Sequence, residues 1–334
     1  MSTSNNTTFI ISGGAGRVVC AIPALEKYAL NNPTDDFNII VHGWESLIWS
    51  NPILQHRVIG VEQKGTFNNI IKKTRVVYPE PYHLYEFYNQ ELHLSEAFDK
   101  IINLTDDHSD LNYNCLYLSK IEIEASKELI EKYKAKQRMQ RSVIFQPYGS
   151  GCRVINNKVT DPSNRSLMPQ HSIKLIKDMS RLATVINASH PEFRDKQDNI
   201  SITFDDPYSD YIRILMGLIY HADLFVGVDS LGQHIARAFN KPSVVFMGGT
   251  CDENYAYVDH STIIRKSNWA PVYSPWRLSD VDVEFSDRMN DGIMDFTDEE
   301  MKEITHIVLS AINSNYDTIK ESSNSSNNNF INYS

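Results

Sequence analysis

The chain has 334 residues and a formal net charge of −10. That length suits two domains of about 100–200 residues each, and 41% hydrophobic against 22% charged residues supplies a packed core and excludes global disorder. The charge excludes a protein that coats nucleic acid or a membrane by whole-molecule attraction, but leaves room for a local basic patch.

Cys20, Cys115, Cys152 and Cys251 are scattered and form no C-x-x-C pair, so a zinc ribbon is ruled out and reduced thiols are expected. The opening MSTSNNTTFIIS carries no signal-like apolar core. No run of about 18 apolar residues occurs, so no transmembrane helix and a cytoplasmic location are expected.

In chain order, residues 9–12 read as a strand that stops at Gly13-Gly14-Ala15-Gly16. A helical pattern follows over 17–30, with Val18, Ala21, Ile22 and Leu25 on one face and Pro33 ending it. Residues 37–42 (FNIIVH) are a buried-type strand, which makes a βαβ start and a parallel sheet. Residues 57–61 and 75–78 are further strand candidates, and 90–102 and 121–138 are helical. The alternation then restarts. Residues 142–146 are a strand, a long polar loop runs to Leu167, and 169–186 read as a helix with Pro169 in its first turn. Next come a strand at 200–204, a helix at 210–220, a strand at 224–228, a short helix at 231–239, a strand at 243–247 and a last helix at 297–312. These elements predict an α/β protein with an N-terminal domain over 1–140 and a C-terminal domain over 141–315. Residues 316–334, rich in Ser and Asn, are expected to be a disordered tail.

Two stretches carry chemistry. In the first, SGGAGRVV, glycines open a helix, where backbone N–H groups favour an anion. Val19 stands where the dinucleotide fingerprint G-x-G-x-x-G needs its third glycine, and His42-Gly43 stand where its acidic residue belongs. A Walker loop is excluded because no GK[ST] follows. A tight turn without ligand and an anion-binding turn both remain open. The second stretch is ADLFVGVDSLGQHIARAFNKPSVVFMGGT, residues 222–250. Strands end at Val228 and Met247, and small polar residues follow each end, which is where ligands sit in open α/β sheets. The amides of Ser230–Gly232 at a helix start suit a diphosphate. His234, one turn in, could add a hydrogen bond or a charge.

This second stretch resembles the donor-site motif of family 9 glycosyltransferases, the heptosyltransferase type. Asp229, Ser230, Gly232, His234, Ile235 and Ala236 match it, with Leu231 where the family usually has Gly, and Lys241-Pro242 and Phe246–Gly248 continue the match. Gly16-Arg17-Val18-Val19, Pro23-Ala24-Leu25 and Asn51-Pro52 resemble the family's first loop and second strand end. Gln146–Gly151, Arg165 and Pro169 are a looser match in the middle. The resemblance spans about residues 8–315 and is weak between 60 and 140. It implies a GT-B architecture: two Rossmann-like domains with parallel sheets facing a cleft, the acceptor on the N-terminal half and the nucleotide-sugar on the C-terminal half. It also implies inverting transfer without a tightly bound metal, from a UDP- or ADP-sugar. The donor-binding residues it points to are Gly14, Gly16, Arg17, Ser150, Arg165, Asp229, Ser230, Gly232, His234, Met247 and Gly248.

One departure bears on mechanism. Arg17 stands where the family places an Asp, its presumed base, and an arginine cannot be a general base near neutral pH. Glu45, Glu80 and His83, each just past a candidate strand, are the catalytic candidates. Lys64, Lys72, Lys73 and Arg75 precede Tyr78, Tyr82, Tyr85, Phe87 and Tyr88, and a second basic run includes Lys132, Lys134, Lys136, Arg138 and Arg141. Basic residues interleaved with aromatics suit a nucleic acid with an extruded base. The Asn- and Ile-rich composition is of a kind common in AT-rich genomes, including phages, and the chain is similar in size to phage-encoded GT-B enzymes that glycosylate hydroxymethylated DNA bases, so duplex DNA carrying a modified pyrimidine is one expected acceptor. The alternatives are a lipopolysaccharide or surface-glycan sugar, a nucleotide-sugar epimerase, and an inactive nucleotide-sugar-binding protein. No integral membrane association is expected.

Overall fold

The computed structural model describes residues 6–155, 158–161, 163–189, 211–266, 292–314 and 330–333. The described residues fall into two compact units, one ending at Ser119 and the other beginning at Lys120.

The first unit is built on β1 (Thr7–Ile11), α1 (Ala15–Asn31), β2 (Asn38–Val41) and β3 (Arg75–Val77), as the βαβ pattern requires. The three strands are parallel in the order β2-β1-β3. Gly13 takes a φ of +97°, a conformation only glycine adopts without strain, and turns the chain from β1 into α1. The buried face of α1 meets the sheet through edge-to-face contacts among Phe9, Tyr28 and Phe37. A short helix α2 (Tyr85–Tyr88) leads to α3 (Leu94–Asn103), which opens with a capping box of His93 and Glu96 and packs on α1. The strand expected at 57–61 does not form. The side-chain oxygen of Asn51 accepts from the N–H groups of Ile53 and Leu54, winding this segment into turns. Only Val58 bridges to Ile39, while the Arg57 guanidinium lies 4.1 Å from the Phe37 ring centre.

The second unit begins with α4 (Lys120–Gln137), about twenty residues before the boundary read from the sequence. The reason is its partner. Arg213 donates to both Glu122 oxygens at 2.7 Å, and Gly217 lets α6 (Tyr211–His221) come close to Ser126. The remaining elements are β4 (Ser142–Gln146), β5 (Arg153–Ile155), β6 (Lys158–Thr160), α5 (Pro169–Met179), β7 (Thr184–Asn187), β8 (Leu224–Val228), α7 (Leu231–Ala238), β9 (Ser243–Phe246), α8 (Asp252–Tyr255), β10 (Thr262–Lys266), α9 (Asp298–Asn313) and β11 (Phe330–Tyr333). Among the described residues the sheet is parallel in the order β7-β4-β8-β9-β10-β11. α4 packs on α6, and α5 packs on α9 over the apolar cluster of Leu175, Met179, Ile304 and Val308. Every residue of β8 is buried, as a central parallel strand demands.

Three expectations change here. The helix read over 169–186 ends at Met179, and the β-branched, fully buried run Thr184–Asn187 pairs with β4. The polar loop before Leu167 contains the antiparallel hairpin β5–β6. Within the tail expected to be disordered, residues 330–333 pair as a parallel edge strand beside β10. The strand expected at 200–204 lies outside the described residues.

Candidate functional site

In the second unit the first strand in sequence, β4, lies between β7 and β8, so the strand order reverses between β4 and β8. A doubly wound sheet opens a crevice at the carboxyl ends of the strands on either side of such a reversal. The carboxyl ends here lead into Gly149-Ser150-Gly151 after β4, Asp229-Ser230 after β8, and Gly248-Gly249-Thr250 after β9.

Asp229 is the centre of this rim. It is 3% exposed. Its carboxylate accepts from Thr250 Oγ1 at 2.6 Å and from Gln233 Nε2, and lies 3.9 Å from Arg165 Nη1. Burial pushes its carboxyl up, and Arg165, Thr250 and Gln233 oppose that push. Asp229 therefore ties the loops after β8 and β9 to Arg165, with both carboxylate oxygens engaged inside the protein. The amide of Gly232 donates to Gln146 Oε1 at 3.1 Å, which seats the start of α7 against the end of β4. A Cβ on Gly232 would lie 2.5 Å from the Phe225 ring, and one on Gly248 would lie 2.2 Å from the Asn164 carbonyl oxygen. Both glycines are demanded by packing. The Ser230 hydroxyl at the start of α7 is buried and makes no hydrogen bond among the described residues.

His234 is 4% exposed, and its Nδ1 is 2.9 Å from the Tyr257 hydroxyl. Burial, reinforced by the Arg165 charge, holds its pKa down to about 3. His234 is neutral at physiological pH, so the charge one turn into α7 is absent and only its hydrogen-bonding capacity remains. Arg165 is the cation of this rim. Its Nε donates to Ser163 Oγ at 3.1 Å, and its Nη2 makes no hydrogen bond among the described residues. Ser150 is exposed. Met247 is buried in the core, and its amide donates to the Ile264 carbonyl at 2.9 Å.

The first unit also reverses strand order, between β1 and β3. Arg17, in the first turn of α1, crosses from one strand end to the other. It pairs with Glu80 through two parallel bonds, each 3.0 Å, and donates to the Pro79 carbonyl at 3.1 Å. Its guanidinium carbon is 4.9 Å from the Tyr82 ring and 5.4 Å from Phe98. Glu80 also accepts from the Tyr82 amide. The Arg at the family's Asp position thus has a carboxylate partner supplied from the neighbouring strand end. Trp44 Nε1 donates to the Gly13 carbonyl at 2.9 Å, joining the loop after β2 to the glycine turn that carries Gly14 and Gly16. Glu45, next to Trp44, is half-buried and has no hydrogen-bond or ion-pair partner among the described residues. His83 is exposed. All three catalytic candidates therefore follow strand ends of one sheet.

No protein-family model matches the sequence, and no curated protein matches it. Solved structures do match. A family 9 glycosyl transferase from Veillonella parvula superposes with a TM-score of 0.62 at 12% identity, over 93% of this chain and 98% of that one. The E. coli ADP-heptose LPS heptosyltransferase II gives 0.60 at 12% identity, over 92% and 98%. The iron-containing dodecameric glycosyltransferase TibC from enterotoxigenic E. coli gives 0.57 at 12% identity, over 96% and 78%. The fold is that of the GT-B glycosyltransferases. Each of the two parallel sheets has its own strand-order reversal, and the sequence-predicted site residues lie in the loops and helix starts outside the strands. Within this GT-B frame, sequence reasoning missed Asp161, Gln233, Thr250 and Tyr257, which hold the rim of the second unit together. Their only sequence signal was proximity to the strand ends.

Proposed function

We propose that the chain is a glycosyltransferase that binds a nucleotide-sugar at the β4/β8 rim of the second unit and transfers the sugar to an acceptor hydroxyl with inversion. The observation that carries this reading is that Arg165 and the unbonded Ser230 hydroxyl at the start of α7 lie at one strand-order reversal of a GT-B fold. A leaving diphosphate needs a cation and N–H donors where its charge develops. Arg165 supplies the cation, and the Leu231 amide and the Ser230 hydroxyl supply donors at a helix N-terminus, the Gly232 and Gln233 amides being taken by Gln146 and Ser230. His234, held neutral, contributes a hydrogen bond only. Asp229 acts as scaffold.

In the first unit, the acceptor's proton goes to a carboxylate just past a strand end of the β2-β1-β3 sheet. Glu45 is the open one. Glu80 has both oxygens engaged by Arg17 and serves mainly to orient that rim. An ADP-sugar is the favoured donor, because TibC, of the same fold, is solved with ADP-D-β-D-heptose. The favoured acceptor is a sugar hydroxyl of a surface glycan, as the name of the E. coli LPS heptosyltransferase suggests. For a modified-DNA acceptor, the run Lys64, Lys72, Lys73 and Arg75 is exposed. The second basic run, however, belongs to the end of α4 in the other unit, where Lys134 pairs with Glu131 and Asp223.

The test is release of nucleoside diphosphate from ADP-, UDP- and GDP-sugars, each with a lipopolysaccharide core acceptor, with hydroxymethylated duplex DNA, and with neither. ADP release stimulated by the core acceptor is expected. Release only with DNA would move the acceptor to nucleic acid, and no release from any donor would sink the transferase reading.

A further inference from the structure

Between β6 and α5, one carboxylate gathers more hydrogen bonds than any ligand role would leave it free to make. Asp161 Oδ1 accepts from the Ser163 amide at 2.9 Å and from the Ser163 hydroxyl; Oδ2 accepts from the Ser166 amide at 3.0 Å and from the Ser166 hydroxyl. These bonds offset the cost of burial and hold the Asp161 carboxyl below its ordinary range, with Arg165 adding to the effect.

The same residues reach three strand ends. The Ser166 hydroxyl oxygen accepts from the Gly149 amide, 2.9 Å away, in the turn after β4. The Asn164 carbonyl accepts from the Gly249 amide at 2.9 Å, after β9, with Asn164 itself in the left-handed region at φ +52°. Ser163 Oγ, which donates to Asp161, accepts from Arg165 Nε at 3.1 Å. Arg165 Nη1 is directed at the Asp229 carbonyl, 3.5 Å away. The guanidinium is thus fixed by a relay, Nε–H to Ser163 and Ser163 O–H to Asp161, which leaves Nη2 beside Gly149. There is no room to improvise at this point, because a Cβ on Gly151 would lie 2.7 Å from Asp161 Oδ1.

We propose that Asp161 is a positioning residue of the donor site: through Ser163 and Ser166 it aims the Arg165 guanidinium and holds the turns after β4 and β9 for a nucleoside diphosphate. The inference rests on the donor-site reading above. Asp161 touches no ligand and acts through Arg165. An amide in its place keeps the shape but turns an N–H₂ toward donors that need an acceptor. The relay then breaks, and Arg165 regains its rotamer freedom before each binding event.

The test is a double-mutant cycle on ADP binding by calorimetry, with wild type, Asp161→Asn, Arg165→Ala and the double variant. Asp161→Asn is expected to weaken ADP about tenfold, and to weaken it by clearly less once Arg165 is gone. Ser163→Ala, which cuts the relay and leaves the Ser166 bonds intact, should reproduce most of the loss if Asp161→Asn folds poorly. Equal losses from Asp161→Asn with and without Arg165, or unchanged affinity in Ser163→Ala, would overturn the proposal. The Arg165 Nε resonance of the ligand-free protein gives a second readout. It is expected to shift or broaden in both Asp161→Asn and Ser163→Ala, and an unchanged signal would overturn the hold on Arg165. Wild type that binds no ADP, UDP or GDP while the Nε signal does respond would instead overturn the donor-site reading.

Discussion

An arginine at the mouth of a βα turn is legible in a sequence; what it holds is not. Arg17 marks a departure from the family pattern. The sequence offered Glu80 as one replacement base, because Glu80 follows a strand. In the fold the two are each other's partners, joined by two 3.0 Å bonds, so their charges cancel at this rim and the proposed base is the open carboxylate of Glu45. This separates two variants by kind of effect. Glu80→Gln leaves the buried Arg17 guanidinium without its counter-charge and is expected to lower stability by about 2–3 kcal/mol in urea unfolding. Glu45→Gln removes a carboxylate with no structural partner, so stability should change by less than about 0.5 kcal/mol, while turnover falls at least about 100-fold. A Glu45→Gln enzyme with near-normal turnover would return the base role to another group. The same contrast explains what was readable. Motif residues such as Asp229 and Gly232 could be named from their spacing, but their jobs could not, since packing turns Asp229 into a scaffold and burial removes the charge from His234.

At the scale of elements, the βα alternation was readable because central parallel strands are apolar runs and the helices keep their 3.6-residue stripe. What failed was boundary and partner. β7 was absorbed into the preceding helix because Ala183-Thr184-Val185-Ile186 continues an apolar pattern, and only pairing with β4 selects the strand. α4 carries a polar surface that names no partner, and the Glu122–Arg213 pair assigns it to the second unit. Asp161 lies in a loop whose hydrogen bonds close only when three strand ends meet. α7 supplies an element-scale prediction. Its second residue, Gly232, meets the fully buried Phe225 ring at a distance where no Cβ fits. Gly232→Ala should therefore displace the helix start, break the bond to Gln146 and cost about 1–3 kcal/mol, despite the better helix propensity of alanine. Urea unfolding checks the cost, and a variant as stable as wild type would show that α7 is not seated by this contact.

For the whole molecule, two units with separate cores respond to different variables. Among the described residues, Glu26, 2% exposed on α1 of the first unit, has only the Asn51 and Asn112 amides as hydrogen-bond partners. Burial pushes its carboxyl up from 4.5 to about 7, against the lowering effect of those two bonds. A raised carboxyl favours folding while protonated. The contribution is fully present below about pH 4.5 and is lost as pH rises through 7, to a total of about 3 kcal/mol. The second unit carries the proposed donor site, where ADP at about 100 times its dissociation constant adds about 2.7 kcal/mol. Scanning calorimetry of the full chain should therefore resolve two transitions. One falls in temperature between pH 5 and 8 and loses that fall in Glu26→Gln; the other rises by roughly 5–10 °C with ADP. Because each perturbation is buried in one unit, neither should move the other's transition. A single transition that follows both variables would mean that the chain unfolds as one cooperative block. An ADP shift confined to the transition that Glu26→Gln alters would place the nucleotide in the first unit and overturn the assignment of Arg165 and α7 to the donor.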